Sequence, residues 1–353
     1  MGSLGSIDDN AAGRRKDPSD LSIVIVNWNT RDMLRECLEL IPAAVGDLSY
    51  EIVIVDNGSA DGSVSMIRED FSSAVLIENS DNIGFPKAVN QGISASGGRY
   101  LALLNSDIMV PPDSLKEMVV HVMSRPEVAA VAPQLIGRSG HMQYCGGNAP
   151  SPCTAMLQLV ELQALAGYRS HGLYVRSRTS RRPQSLDWLC AACMVIDRKA
   201  VDDAGMFDEL HFMYGEDVEF GLRLRRSGWK LKLLPWIRVV HYGRASSSGA
   251  PEARLMWLGG VFRIASQRLS RPRYTLFGIF LSLAFFTRYL IMRMMKILPG
   301  GRSVIHTEVA NQEDVRLYAR TAWTLAMSEP QYAGSFCSEL ENSYRKTAAE
   351  AKS

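Results

Sequence analysis

The sequence predicts an α/β protein: a Rossmann-like, mostly parallel mixed sheet flanked by helices, with its ligand site at the carboxyl ends of the strands. Two observations carry this expectation. Short apolar runs bounded by polar residues recur at 21–26, 51–55, 74–78, 100–104 and 128–132, as strands covered on both faces require. Between them lie segments whose apolar residues repeat at helical spacing, the alternation from which such sheets are built. The 353 residues allow one large core or two modest ones, and a formal net charge of +2 makes no general case for nucleic acid as a partner.

Taken in order, the first run breaks at Asn27-Trp-Asn-Thr30, and Leu34, Cys37, Leu38 and Ile41 mark a helix expected to stop at Pro42. The second run delivers Asp56 to its carboxyl end, ahead of a tight polar turn over 57–63. After the third, residues 82–90 read as a loop entering a helix that ends at Gly97 and Gly98. The fourth ends in Asn105, Ser106 and Asp107, and a helix over 112–123 presents Leu115, Met118, Val119 and Val122 on one face. No G-x-G-x-x-G follows the first strand and there is no P-loop, which argues against a dinucleotide-binding dehydrogenase.

Residues 137–186 read as a loop with a basic set, Arg169, Arg176, Arg178, Arg181 and Arg182. That set suits either an anionic or lipid-linked acceptor or a solvated insertion. Residues 187–196 read as one buried strand, so Cys190 and Cys193 are expected to be structural, not zinc-binding or redox-active. The six scattered cysteines do not form a secreted disulfide framework. A helical turn over 198–204 and short strands at 231–234 and 237–240 follow, the last ending in His241.

The most distinctive stretch is 212–229. Glu216 and Asp217 open an amphipathic helix in which Phe220, Leu222 and Leu224 alternate with charge, Glu219 can pair with Arg223, and Gly228 supplies a stop. The positive helix end is expected to favour both acids as anions. An aromatic-Met-aromatic-Gly lead-in, Phe212 to Gly215, suggests a loop shaped to aim a carboxylate. Asp56, Asp107, Glu216, Asp217 and His241 thus gather at strand ends or loop mouths. They suit a substrate carrying a diphosphate, with one carboxylate and a histidine for a divalent metal and another carboxylate as base.

Beyond residue 250 the character changes. Residues 274–287 carry no charge, and Arg288, Arg293 and Lys296 then fall within one helical sector of roughly 140°. Fourteen uncharged residues are short of the roughly twenty that span a bilayer. A basic amphipathic helix in the membrane interface is the expectation, beside a helix packed on the catalytic core or a tilted span that tolerates Arg288. Residues 1–20 are polar, show no signal peptide and read as a disordered tail; residues 303–353 read as a polar tail of weak helical pattern.

Here the chain resembles family 2 glycosyltransferases of the GT-A fold, and more narrowly their bacterial rhamnosyltransferase-type members. The matching pieces are Ile23-Val-Ile-Val-Asn-Trp-Asn29, Val55-Asp-Asn-Gly-Ser-Ala-Asp-Gly-Ser63, Asn82-Ile-Gly-Phe85 with Asn90, and Leu104-Asn-Ser-Asp107. Gly205-Met-Phe-Asp-Glu209, Gly215-Glu-Asp-Val-Glu-Phe220 and His241 follow in the same order. The resemblance implies a GT-A catalytic domain over about 21–250, with a donor half to about 132 and an acceptor half from 133. It leaves 251–302 as a helical, membrane-proximal extension.

The resemblance also implies roles. Asp56 meets the donor's base, with Asn27 and Asn29 lining the same pocket and Asn82, Lys87 and Asn105 nearby. Asp107, the last acid of a D-x-D motif whose first position is Asn105 here, holds Mg2+ or Mn2+ with His241. Asp217 is the catalytic base, with Glu216 beside it. The implied reaction is a single displacement with inversion, moving a sugar (rhamnose from a dTDP donor) to a polyprenyl-linked or cell-surface glycan acceptor at the cytoplasmic face of the membrane. A sugar nucleotidyltransferase would need a glycine-rich basic loop after the first strand, which Asn27-Trp-Asn-Thr30 is not. A silent carbohydrate-binding or scaffold protein would have no use for Asp107, Asp217 and His241 together.

Overall fold

A computed structural model of the chain describes residues 20–159, 172–175, 182–243, 251–297 and 312–350. In the first half, β1 (Leu21–Asn27), α1 (Arg31–Val45), β2 (Tyr50–Asp56), α2 (Ser63–Asp70), β3 (Val75–Glu78), α3 (Phe85–Ser94), β4 (Tyr100–Asn105), β5 (Ile108–Met109) and α4 (Ser114–Met123) succeed one another. Next come β6 (Val128–Ile136), β7 (Gly146–Gly147), α5 (Pro152–Leu159), β8 (Gln184–Leu186), β9 (Trp188–Leu189), β10 (Cys193–Asp197), α6 (Arg198–Ala204), α7 (Glu216–Arg226) and β11 (Lys230–His241). Four helices follow among the described residues: α8 (Pro251–Arg268), α9 (Arg271–Ile297), α10 (Gln312–Met327) and α11 (Tyr332–Glu350).

The main sheet runs β3-β2-β1-β4-β10-β6-β11-β5, with β8 alongside β11. Strands β1 to β4 are mutually parallel, β10 is antiparallel to both β4 and β6, and β11 is parallel to β6. The expected mixed, mostly parallel sheet is therefore present. Its central strands read as unbroken apolar runs because helices cover both faces: Ile23, Ile25, Val53, Ile54, Leu103 and Val131 are all buried.

Several elements depart from the sequence expectation, each for a local reason. α1 continues one turn past Pro42 to Val45. Proline removes one helical hydrogen bond, but Ile41, Ala44 and Val45 bury completely against the core and hold the last turn. α3 ends at Ser94, short of Gly97 and Gly98, and the short α2 and β5 carry no periodicity long enough to announce them. Residues 187–196 form two strands, not one, separated by a turn at 190–192. The pieces at 231–234 and 237–240 are one strand, β11, whose register against β6 jumps between Leu234 and Arg238. Pro235, which has no N–H to give the ladder, falls in that jump. Of the basic set in 137–186, Arg169, Arg176, Arg178 and Arg181 lie outside the described residues, as does the tail at 1–19.

A second core joins α5, α8, α9 and α10 through Phe262, Tyr274, Phe277, Leu281 and Tyr318. The uncharged run at 274–287 thus lies in a 27-residue helix, and its stretch Arg271–Met294 is long and apolar enough, by length and composition, to cross a membrane. One face of α9 packs inward, while Leu276, Leu283, Phe286, Leu290 and Met294 stand exposed on the other. The extension touches the main domain by backbone: a side chain at Gly260 on α8 would come within 2.6 Å of the Tyr214 carbonyl oxygen.

α7 lies on β9 at similarly close range. A Cβ at Gly221 would stand 2.6 Å from Trp188 Cα, so Gly221→Ala must push the helix off the strand. We expect that substitution to cost about 1–3 kcal/mol, read as a lower thermal or urea midpoint.

Candidate functional site

A cleft of about 960 Å³, counting the part open to solvent, lies where β1, β4 and β11 end and α7 begins. That size is within the range of small-molecule sites. Asn82, Asn105, Asp107, Glu216, Asp217 and His241 all line it, so six residues widely spaced in the sequence share one space. The turn at 190–192 forms part of its floor, fixed to β4 by the Asn105 N–H donating to the Ala192 carbonyl at 2.9 Å.

At one end stand Asp107 and His241. Asp107 is 4 % exposed; one carboxylate oxygen accepts from the Gly243 N–H at 2.9 Å and the other lies 3.5 Å from His241 Nε2. Burial opposes the charge on Asp107, but the His241 ring and the Gly243 N–H outweigh it and hold the carboxyl below its ordinary value. His241 Nδ1 lies 2.7 Å from Gln143 Oε1, and Gln143 in turn donates to the His241 carbonyl at 3.0 Å. With its amide so fixed, Gln143 accepts from Nδ1–H, which leaves Nε2 turned toward Asp107. That is how a second residue orients a metal-binding histidine. Among the described residues no group of three or more His, Cys, Asp or Glu is placed to hold a metal ion. Two protein ligands nevertheless fit Mg2+ or Mn2+, which take most of their shell from water and substrate phosphates.

The two acids stand at the start of α7. Glu216 is 6 % exposed and its Oε2 has no hydrogen-bond partner among the described residues. Asp217 keeps part of its surface on the cleft and accepts from the Val218 N–H at 2.8 Å. The expectation that the helix end keeps both acids anionic is corrected by their burial. Loss of water, and then the charge of Asp217, raises Glu216 well above its ordinary value. Loss of water also pushes Asp217 up to about 6, with the backbone N–H groups of Val218 and Ala191 opposing. Burial thus raises both carboxyls of the pair, and Asp217, which keeps surface on the cleft, is the one placed to take a proton from a ligand.

Of the residues singled out by sequence, Asn27, Asn29, Asp56 and Lys87 do not line this cleft. Asn27 and Asp56 pair in register across β1 and β2 and are buried, with Asn27 Nδ2 donating to Asp56 at 2.8 Å. Asp56 also accepts from the Ser59 N–H, which closes the turn after β2. Their connection to the cleft runs through Thr30, which bonds both Asn27 and the lining residue Ser106. Asn29, at φ 53, accepts from the Ala60 N–H. Asn82 caps its own loop by accepting from Gly84 N–H, and Lys87 is exposed on α3. Asn90 ties α3 to the segment before the acids, holding both the N–H and the carbonyl of Phe207.

Sequence reasoning gave no site role to Trp28, Cys190 and Tyr344, which line the cleft, or to Gln143, which holds the His241 ring. Trp28 sits inside a quoted motif but carried no assigned role. Cys190 was hidden in an apolar run, and Gln143 and Tyr344 lie in stretches with no motif, so nothing local pointed to them.

Comparison with known proteins bears on the family and the fold. A family model described as Glycosyl transferase family 2 matches residues 22–203. An N-acetylglucosaminyl-diphospho-decaprenol L-rhamnosyltransferase of Mycobacterium tuberculosis is 24 % identical over 246 residues, spanning 67 % of this chain and 80 % of that protein. A low-salt glycan biosynthesis hexosyltransferase of Haloferax volcanii is 22 % identical over 288 residues, 78 % of this chain and 85 % of its own length. Among solved structures, a mannosyltransferase from Pyrobaculum calidifontis in complex with GDP-Man and Mn2+ superposes with a TM-score of 0.51 at 16 % identity, over 90 % of this chain and 86 % of that one. It shares the fold.

Asn90→Ala leaves a buried N–H and carbonyl of the 205–209 segment unpaired. A loss of about 1–3 kcal/mol in urea unfolding is expected.

Proposed function

Because the chain belongs to glycosyl transferase family 2, a family of nucleotide-sugar transferases, we propose that it moves one sugar with inversion onto an acceptor hydroxyl, with Asp217 as the base. The observation that carries this reading is the placement of Asp217, on one cleft with the Asp107–His241 pair. In the reaction Asp217 takes the proton from the acceptor oxygen as that oxygen attacks the anomeric carbon and the bond to the nucleoside diphosphate breaks. Glu216, raised by burial beside it, orients the acceptor or Asp217. Asp107 and His241 hold Mg2+ or Mn2+, which when bound neutralises charge on the departing diphosphate. Asn82 and Asn105 line the donor's path. Asn27, Asn29 and Asp56 brace the base side of the donor pocket from behind its lining.

For the donor we propose dTDP-rhamnose, and for the acceptor a polyprenyl-linked or other cell-surface glycan. The name of the mycobacterial relative supports both. The exposed row Leu276, Leu283, Phe286, Leu290 and Met294 on α9 supports a membrane-associated enzyme. A helix lying in the interface at the cytoplasmic face buries such a row among lipid.

Nucleoside diphosphate release from dTDP-, UDP- and GDP-sugars, with and without chelator, tests the reading. One donor is expected to react, only with metal present. Asp217→Asn should reduce turnover by at least about a hundredfold while donor binding is retained; equal loss of both contradicts the base assignment. Because Asp217 must be ionised to act, kcat should fall as pH drops through about 6. Phe286→Asp with Leu290→Asp should abolish flotation with anionic liposomes, and unchanged flotation removes α9 from the membrane.

A further inference from the structure

The C-terminal helix reaches the cleft. Tyr344 on α11 is 1 % exposed and lines the same space as Asp107 and Asp217. Its ring centre lies 6.2 Å from that of Trp28 and 5.7 Å from that of Phe212. Arg345 sets its guanidinium 4.3 Å from the centre of the Phe212 ring and donates to the Asn82 carbonyl at 3.0 Å, while Glu341, one turn back, anchors it at 2.9 Å. Ser343 donates to Glu252 on α8 at 2.8 Å. The two loops that α11 grips are themselves joined, since the Phe85 N–H donates to the Phe212 carbonyl at 2.8 Å. One helix thus fastens the loop after β3 to the loop that precedes the acids.

Trp28 is the residue Tyr344 packs on. It is 8 % exposed, lines the cleft, and its indole N–H has no hydrogen-bond partner among the described residues. Buried indole N–H groups nearly always find an acceptor. An unpaired one on the wall of a substrate cleft marks a place where the ligand supplies that acceptor. Trp28 follows β1, and its ring cannot swing away without displacing Tyr344, Phe212 or Met256, all members of one buried cluster.

We propose that α11 completes the substrate cleft: Tyr344 holds the Trp28 indole so that its N–H meets an oxygen of the bound substrate, a sugar hydroxyl or a phosphate. The inference rests on the transferase reading above. Trp28 is then a substrate-binding residue and Tyr344 a positioning residue acting through it.

The test is steady-state transfer by the full chain as wild type, Trp28→Phe, Tyr344→Ala and the double variant, with donor and acceptor titrated separately and thermal midpoints recorded. Trp28→Phe keeps an aromatic ring and removes the N–H. It should raise one KM about tenfold, with the midpoint lowered only by the smaller ring; a change in the donor KM places the oxygen on the donor, a change in the acceptor KM on the acceptor. Tyr344→Ala should raise the same KM, and adding it to Trp28→Phe should raise that KM little further, because the contact is already gone. An active, folded Trp28→Phe with both KM values at wild-type level overturns the proposal. A Tyr344→Ala variant that lowers only the midpoint overturns the positioning role. A wild type silent with every donor overturns the transferase reading beneath it, a result distinct from either.

Discussion

Two carboxyl groups side by side and out of water are costly to hold, and much of the molecule is arranged to hold them. Glu216 and Asp217 would separate or hydrate if α7 were free to shift. It is not free: Gly221 lets the helix rest on the backbone at Trp188, and Phe220 packs on Phe207 with ring centres 4.3 Å apart. Arg223 joins Glu219 at 2.8 Å and reaches the carbonyl of Met206 at 2.7 Å, so the segment leading to the acids is tied to the helix that carries them. Burial then sets the chemistry. It raises both carboxyls and leaves Asp217, the one with surface on the cleft, poised to accept a proton.

The opposite end of the cleft follows a different electrostatic rule. Asp107 is as secluded as Glu216, yet it stays charged because a histidine ring and a backbone N–H replace the lost water. Two acids raised by burial and one held anionic give the space two electrostatic characters, one suited to moving a proton and the other to meeting a cation.

Much of this was legible in the sequence because strand ends are marked by chemistry. Apolar runs that stop at Asp56 or at Asn105 and Asp107 announce both the sheet and the edge where a ligand sits, and the pattern after Gly215 announces α7. What stayed hidden depends on distance. The turn at 190–192 looks like more strand, since Cys190, Ala191 and Ala192 are as apolar as their neighbours and only pairing with β4 and β6 shows where the ladder ends. That Asn27 and Asp56 satisfy each other inside the wall depends on register between two strands. Tyr344 reaches the cleft, and Gln143 the ring of His241, from stretches whose local pattern concerns only their own loop or helix. The titration of the acids was misjudged for the same reason: helix ends can be read locally, whereas desolvation is the sum of everything packed around a group.

The contact at Gly260 limits how the architecture can be rearranged. Where a side chain separates two modules, one can be exchanged for another of similar shape. Here α8 meets the loop before the acids backbone to backbone, with no layer of side chains to absorb a mismatch. The four C-terminal helices are therefore not an interchangeable tail: a graft from a relative would have to bring its own version of residues 212–215, so the extension and the acid-bearing loop are constrained to change together.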